Sequence, residues 1–265
     1  MSADPRAVLS RPAPAPDVTI GYGDHPDQVV DLRHPVGNGP ARPLIVVVHG
    51  GFWRAEYDRR HTDALAAALA ALGHPVAQVE YRRTGRPGGG WPNTLTDVLT
   101  GVAALPRLAA EALPGRVAPG APYLVGHSAG GHLALYAAAV APETVAGVLA
   151  LAPVSNLAEA YRLDLDSGAV AALLGGGPED VPDRYAAADP RTLVPGQLPV
   201  VVVHGSRDQQ VPVGMSRDHV AAGRAAGADI TLFELPFCEH FGLIDPESAA
   251  WPQVAEALRS LLKDH

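Results

Sequence analysis

The stretch Tyr123-Leu124-Val125-Gly126-His127-Ser128-Ala129-Gly130-Gly131-His132-Leu133-Ala134 sets a serine between two glycines, where an apolar strand-forming run gives way to a helix-forming one. A sharp strand-to-helix turn of this kind is the signature of a nucleophile elbow. Gly126 and Gly130 omit the side chains that would hold strand and helix apart, and the turn between them puts Ser128 into a strained backbone conformation. Ser128 Oγ is thereby expected at the top of a sheet, over the N-terminus of the next helix. A free serine hydroxyl is a weak nucleophile near neutral pH, so the elbow requires a base, an acid and oxyanion donors elsewhere in the chain.

Outward from this stretch, apolar β-rich runs alternate with alanine-rich helical ones. Strands are expected over Val18 to Tyr22, Gln28 to Arg33, Pro43 to Val48, Pro75 to Tyr81, Tyr123 to the elbow, Val145 to Ala152, Val200 to His204 and Ile230 to Leu235. Helices are expected over Arg59 to Leu72, Asn93 to Ala112, the elbow to about Ala141, Val213 to Ala226 and Ala249 to Lys263, with Pro106 kinking or splitting the second. Continuous apolar strands between amphipathic helices predict an α/β protein whose mostly parallel, eight-stranded sheet is covered on both faces. Residues 1–17, with Pro12, Pro14 and Pro16 among alanines, read as a flexible arm, and residues 18–265 as one domain. Ser155 to Gln197 breaks the alternation with short helical pieces and Gly175-Gly176-Gly177, and reads as an excursion over the strand ends, either a small cap on the site or a surface insertion.

The strand ending at Val48 runs into His49-Gly50-Gly51-Phe52-Trp53-Arg54. A glycine turn at a strand's carboxyl end can aim consecutive N–H groups at one point, so the amides of Gly51 and Phe52, with that of Ala129, form the expected oxyanion hole. His49 is expected to orient this loop rather than carry protons. After Val200 to Val203 comes His204-Gly205-Ser206-Arg207-Asp208, and Asp208 is the candidate acid, ahead of Asp218, Asp229 and Asp245. His240, after the last strand and before the last helix, is the candidate base. The chain order Ser128, Asp208, His240 is that of one serine-hydrolase lineage and not of the chymotrypsin or subtilisin lines.

These residues carry a resemblance over nearly the whole chain to the α/β-hydrolase superfamily. His49-Gly50-Gly51-Phe52-Trp53, Gly126-His127-Ser128-Ala129-Gly130-Gly131-His132 and His240-Phe241-Gly242-Leu243-Ile244-Asp245 look like the esterase/lipase branch that includes kynurenine formamidase. The resemblance implies catalytic Ser128, Asp208 and His240 with an oxyanion hole at Gly51, Phe52 and Ala129. Phe52 stands where the hormone-sensitive-lipase pattern has a third glycine, and an aromatic there, followed by Trp53, is nearer the formamidase type.

Phe52, Trp53, Tyr57, Tyr81, Trp91, Phe237 and Phe241 fall on loops expected at the catalytic end, and Trp53, Tyr81, Trp91 and Phe241 are taken as substrate-binding candidates. Arg82, Arg83 and Arg86 could meet a substrate carboxylate, though solvation is the expectation for at least two of them. The 265-residue chain is 47% apolar with a formal net charge of −8 spread without like-charge blocks, which argues against a nucleic-acid surface. No run is long and apolar enough to span a membrane, the first residues lack a signal-peptide core, and the single Cys238 suits a cytoplasmic setting. His127 and His132 lack metal-ligand spacing, no phosphate-binding glycine loop is present, and neither a metal nor another cofactor is expected. The expected partner is a small ester or activated amide, with neither nucleic acid nor membrane, and a homodimer is left open. Carboxylesterase, arylformamidase acting on N-formylkynurenine, small-peptide exopeptidase and a non-catalytic binding protein are the functions considered, the last disfavoured by the ordered triad.

Overall fold

The strands are β1 (Val18–Gly21), β2 (Val29–Arg33), β3 (Ile45–Val48), β4 (Val76–Val79), β5 (Tyr123–His127), β6 (Gly147–Leu151), β7 (Val200–Gly205) and β8 (Ile230–Leu235). They pair in the order β1-β2-β4-β3-β5-β6-β7-β8 in a computed structural model that describes residues 4–193 and 196–263. β2 is antiparallel to both of its neighbours, and every pairing from β4 to β8 is parallel. The helices are α1 (Asp63–Ala71), α2 (Asn93–Ala112), α3 (Ala129–Val140), α4 (Leu157–Arg162), α5 (Ala169–Leu174), α6 (Pro182–Ala188), α7 (Val213–Ala225) and α8 (Trp251–Lys263).

Period-two alternation along the buried strands divides the apolar residues between two cores. Val46, Val48, Leu124, Val148 and Val202 face a core shared with α2 to α7, whereas Ile45, Val47, Val125, Leu149 and Val203 face a core shared with α1 and α8. This is the eight-stranded α/β-hydrolase architecture that the sequence predicts. Its parallel strands all end on one edge, so the segments after β3, β5, β7 and β8 converge there.

Three local expectations are corrected. Pro106 does not split α2; the helix runs as one element from Asn93 to Ala112. Proline removes one N–H from the ladder, but Val102, Leu105 and Ala109 around it are fully buried and hold the helix against the sheet. The expected helix from Arg59 begins instead as a 3-10 turn over Arg59–Thr62, entered through Asp58, whose carboxylate accepts from the Arg60 amide at 2.9 Å. The segment read as a flexible arm has, over Pro5–Ser10, a 3-10 turn with Val8 only 2% exposed in the α1/α8 core. Arg11 fastens it by a bidentate ion pair to Asp245 and a 2.9 Å contact to Glu247. Residues 1–3 of that arm and 194–195 of the excursion after β6 lie outside the described residues.

Candidate active site

Ser128 joins β5 to α3 with φ 56° and ψ −118°, a left-handed conformation that costs an L-residue free energy and persists only where its surroundings over-determine it. Those surroundings are close. A Cβ on Gly126 would overlap the Gly130 carbonyl, and one on Gly130 would overlap the Val48 carbonyl, so both positions require glycine for approach alone. The Ser128 amide donates to the Leu151 carbonyl at 2.8 Å, tying the elbow to the neighbouring strand.

Gly51, Phe52 and Trp53 follow β3 with φ of 97°, 48° and 58°, three consecutive left-handed residues that turn the chain over the elbow. Among the described residues the Gly51 and Phe52 amides have no protein acceptor, and Ala129, as the first residue of α3, has none within its helix. Free donors at a helix N-terminus and beside a strained serine can stabilise an anion. His49 holds this loop as expected: its ring bridges the Glu80 carboxylate and the Gly50 carbonyl, each at 2.8 Å, and stacks on Tyr81 with centroids 4.3 Å apart. Burial would raise the Glu80 carboxyl, but His49 and Arg83 outweigh it and bring it down to about 2.

Asp208 and His240 meet across the ends of β7 and β8. Asp208 Oδ2 accepts from His240 Nδ1 at 2.6 Å, while Oδ1 accepts from the Gln210 and Val211 amides at 2.7 and 2.8 Å. Burial pushes the Asp208 carboxyl up, but hydrogen bonds from His204 and His240 and the charge of His240 hold it well below the ordinary range. With Nδ1 donating to the carboxylate, Nε2 of His240 is left to act as a base. Ser128 and His240 share a pocket wall without a hydrogen bond between them; such bonds often tighten only when substrate binds.

Two histidines that the sequence reading did not assign complete this end of the site. His204 Nε2 lies 3.2 Å from Asp208 Oδ2 and 3.0 Å from the Val211 carbonyl, and its Nδ1 accepts from Ser216 at 2.7 Å. His127 Nε2 donates to the His240 carbonyl at 3.2 Å, and burial, with His240 and His61 nearby, holds its ring well below the usual histidine range. Their place at the ends of β7 and β5 was the available signal. Cys238 is no nucleophile candidate, because burial and the nearby Glu239 and Asp208 carboxylates raise its thiol to about 11.

The wall of the pocket over Ser128 includes Gly51, Phe52, Tyr57, His61, His127, His240 and Phe241. Of the four aromatic substrate candidates, only Phe241 lies in that wall. Trp53 and Tyr81 are fully buried behind the glycine loop: Trp53 Nε1 donates to His132 Nδ1 at 3.2 Å, and the Tyr81 hydroxyl donates to the His49 carbonyl at 2.8 Å. Trp91 packs against the larger core, its amide bonded to the Leu173 carbonyl. Large aromatic rings on these loops therefore support the loops from below. Of the three arginines only Arg83 is buried, held by Glu80 at 3.2 Å; Arg82 is partly exposed and paired with Asp97 at 2.6 Å, and Arg86 stays exposed. From the excursion after β6, Asp166 reaches the pocket wall, clamped to Arg54 of the glycine loop. Among the described residues no cluster of three or more His, Cys, Asp or Glu side chains is placed to hold a metal ion, and no helix is long and apolar enough to cross a membrane.

The BD-FAE family model matches residues 30–222, a span that takes in the glycine loop, Ser128 and Asp208. The esterases LipQ and LipC of Mycobacterium tuberculosis are each 27% identical to this chain, over 84% of it. The chain spans only 56% and 59% of the lengths of those two proteins. The crystal structure of esterase B from Lactobacillus rhamnosis superposes with a TM-score of 0.79 at 19% identity, covering 97% of this chain and 89% of that one, a likeness of fold.

Proposed function

We propose that this chain, which belongs to the BD-FAE family, is a serine esterase that cleaves small carboxylic esters through an acyl-enzyme formed on Ser128. The single observation that carries the reading is the 2.6 Å bond from His240 Nδ1 to the buried Asp208, in a pocket whose wall also holds Ser128 and the two free amides after His49. The esterase names of LipQ and LipC support the same class of reaction.

In this mechanism His240 Nε2 takes the Ser128 proton as Oγ attacks the ester carbonyl. The developing oxyanion is received by the amides of Gly51, Phe52 and Ala129, whose geometry is fixed before substrate arrives. Asp208 keeps the tautomer that leaves Nε2 free and stabilises the imidazolium that forms. His240 then protonates the departing alkoxide. A water molecule, deprotonated by the same ring, attacks the acyl carbonyl and releases the acid with Ser128 restored.

The test is kcat/KM for wild type and Ser128→Ala on a graded series of p-nitrophenyl acyl esters. Ester turnover is expected in the wild type, with a loss of at least about a thousandfold in the variant; turnover retained above a few per cent would refute the assignment. N-formylkynurenine belongs in the same panel, because Phe52 in place of a third glycine favours a formamidase as the second reading. Formamide turnover matching the best ester would make that reading the better one.

A further inference from the structure

We propose that Arg6, on the N-terminal turn, is a specificity-determining residue that selects esters bearing a free carboxylate away from the scissile bond. The proposal rests on the esterase reading of the same pocket.

The turn that carries Arg6 is fixed at several points. Val8 is buried against α1 and α8, Leu9 packs beside it, and Arg11 grips Asp245 and Glu247. On its other side the Asp4 carboxylate caps the turn locally, accepting from the Arg6 amide at 2.9 Å. From this position Arg6 and Leu9 enter the wall of the pocket that holds Ser128 and His240. The guanidinium lies over the Phe241 ring, 5.7 Å from its centroid, and that ring meets His240 edge-on at 5.1 Å. Cation and base are thus separated by one aromatic ring.

The charge of Arg6 is unspent. Among the described residues no carboxylate lies within ion-pair distance of it, whereas Arg54 of the glycine loop is paired with Asp166. Asp166 is the only carboxylate in the described pocket wall, and Asp245 and Glu247 are held by Arg11. His61 and His127, also in the wall, are kept neutral by burial. The pocket of a chain with formal charge −8 therefore opens past one unpaired guanidinium. Its planar fork suits a carboxylate, which it can hold by two parallel hydrogen bonds. Arg6 is itself exposed, and Phe241 beneath it limits the directions the side chain can take at the edge of the pocket.

The experiment compares kcat/KM for matched ester pairs in wild type, Arg6→Ala, Arg6→Lys and Arg6→Glu. Monoethyl adipate against ethyl hexanoate places the carboxylate on the acyl side, and 4-acetoxybenzoate against 4-acetoxytoluene places it on the alcohol side. The ratio of charged to neutral ester should fall by about three- to tenfold in Arg6→Ala for at least one pair. It should fall further in Arg6→Glu and recover in part in Arg6→Lys. Added NaCl should lower the wild-type ratio and leave that of Arg6→Ala nearly unchanged. A ratio within about twofold of wild type for both pairs would overturn the proposal. Turnover of ethyl hexanoate by wild type and its loss in Ser128→Ala report separately on the esterase reading. Should neither ester be cleaved, calorimetric binding of monoethyl adipate decides: weaker binding to Arg6→Ala supports the proposal, and equal binding overturns it.

Discussion

At Asp208 one buried carboxylate answers to two histidines and two backbone amides, so it is both a structural anchor and the partner of the proposed base. Replacing it with asparagine should keep most of that packing while disturbing the His240 tautomer, with kcat falling by about 10⁴. Alanine should add a stability loss of about 1–3 kcal/mol, because His204 and the amides of Gln210 and Val211 lose their acceptor; steady-state kinetics and urea titration separate the two effects. Glu80 offers a pH-dependent counterpart beneath the glycine loop. Its folded carboxyl lies at about 2 against an ordinary 4.5, so it stabilises the fold above about 4.5 and that contribution is lost as pH falls towards 2. Glu80→Gln should therefore lower stability at pH 7 and flatten the acid limb of the stability curve across that window. Ser128, Asp208 and His240 were legible in the sequence because each needs a residue type, a chain order and a strand end at once. Trp53 and Tyr81 were not, since an aromatic ring on a loop carries no sign of whether it points into a pocket or under it.

Among the elements, the strands follow from β-forming, mostly apolar runs, and no observed bound differs from the expected one by more than two residues: most strands stop short where hydrogen-bonded pairing ends, whereas β7 runs one residue further, to Gly205. Composition misled at the N-terminus. Prolines and alanines give no local reason for order, and the turn at Pro5–Ser10 is held by contacts with residues far along the chain, Asp245 above all. Arg11→Ala should speed hydrogen exchange at the amides of Ala7 and residue 11, which bond the Asp4 and Val8 carbonyls, while exchange in β5 stays as it was. In α2, Pro106 continues a helix that its buried neighbours hold in place, and the ladder lacks one N–H there. Pro106→Ala should raise stability by up to ~3 kcal/mol, read from the denaturation midpoint; no gain would mean that the ring's own packing offsets the missing hydrogen bond.

On the scale of the whole molecule, burial of neutral histidines ties the fold to pH. Burial lowers His61 to about 3, and His132 and His219 to about 4, from an ordinary 6.5. The unfolded chain takes up these protons first, so stability falls as pH drops from 6.5 towards 4, by up to about 1.4 kcal/mol per pH unit for each histidine. His219, on α7 away from the pocket, isolates one such group: His219→Leu should reduce that slope by about one proton, measured from urea midpoints at successive pH values. The same sheet that buries these rings brings the ends of β3, β5, β7 and β8 to one edge, and the central claim is that this edge makes Ser128 a nucleophile. Titration with a p-nitrophenyl alkylphosphonate, read by released p-nitrophenolate and by peptide mass spectrometry, tests it most directly. One equivalent should be released per chain, with the phosphonyl group on Ser128 and esterase activity lost in proportion; inactivation with the label elsewhere, or full activity with Ser128 labelled, would contradict the account.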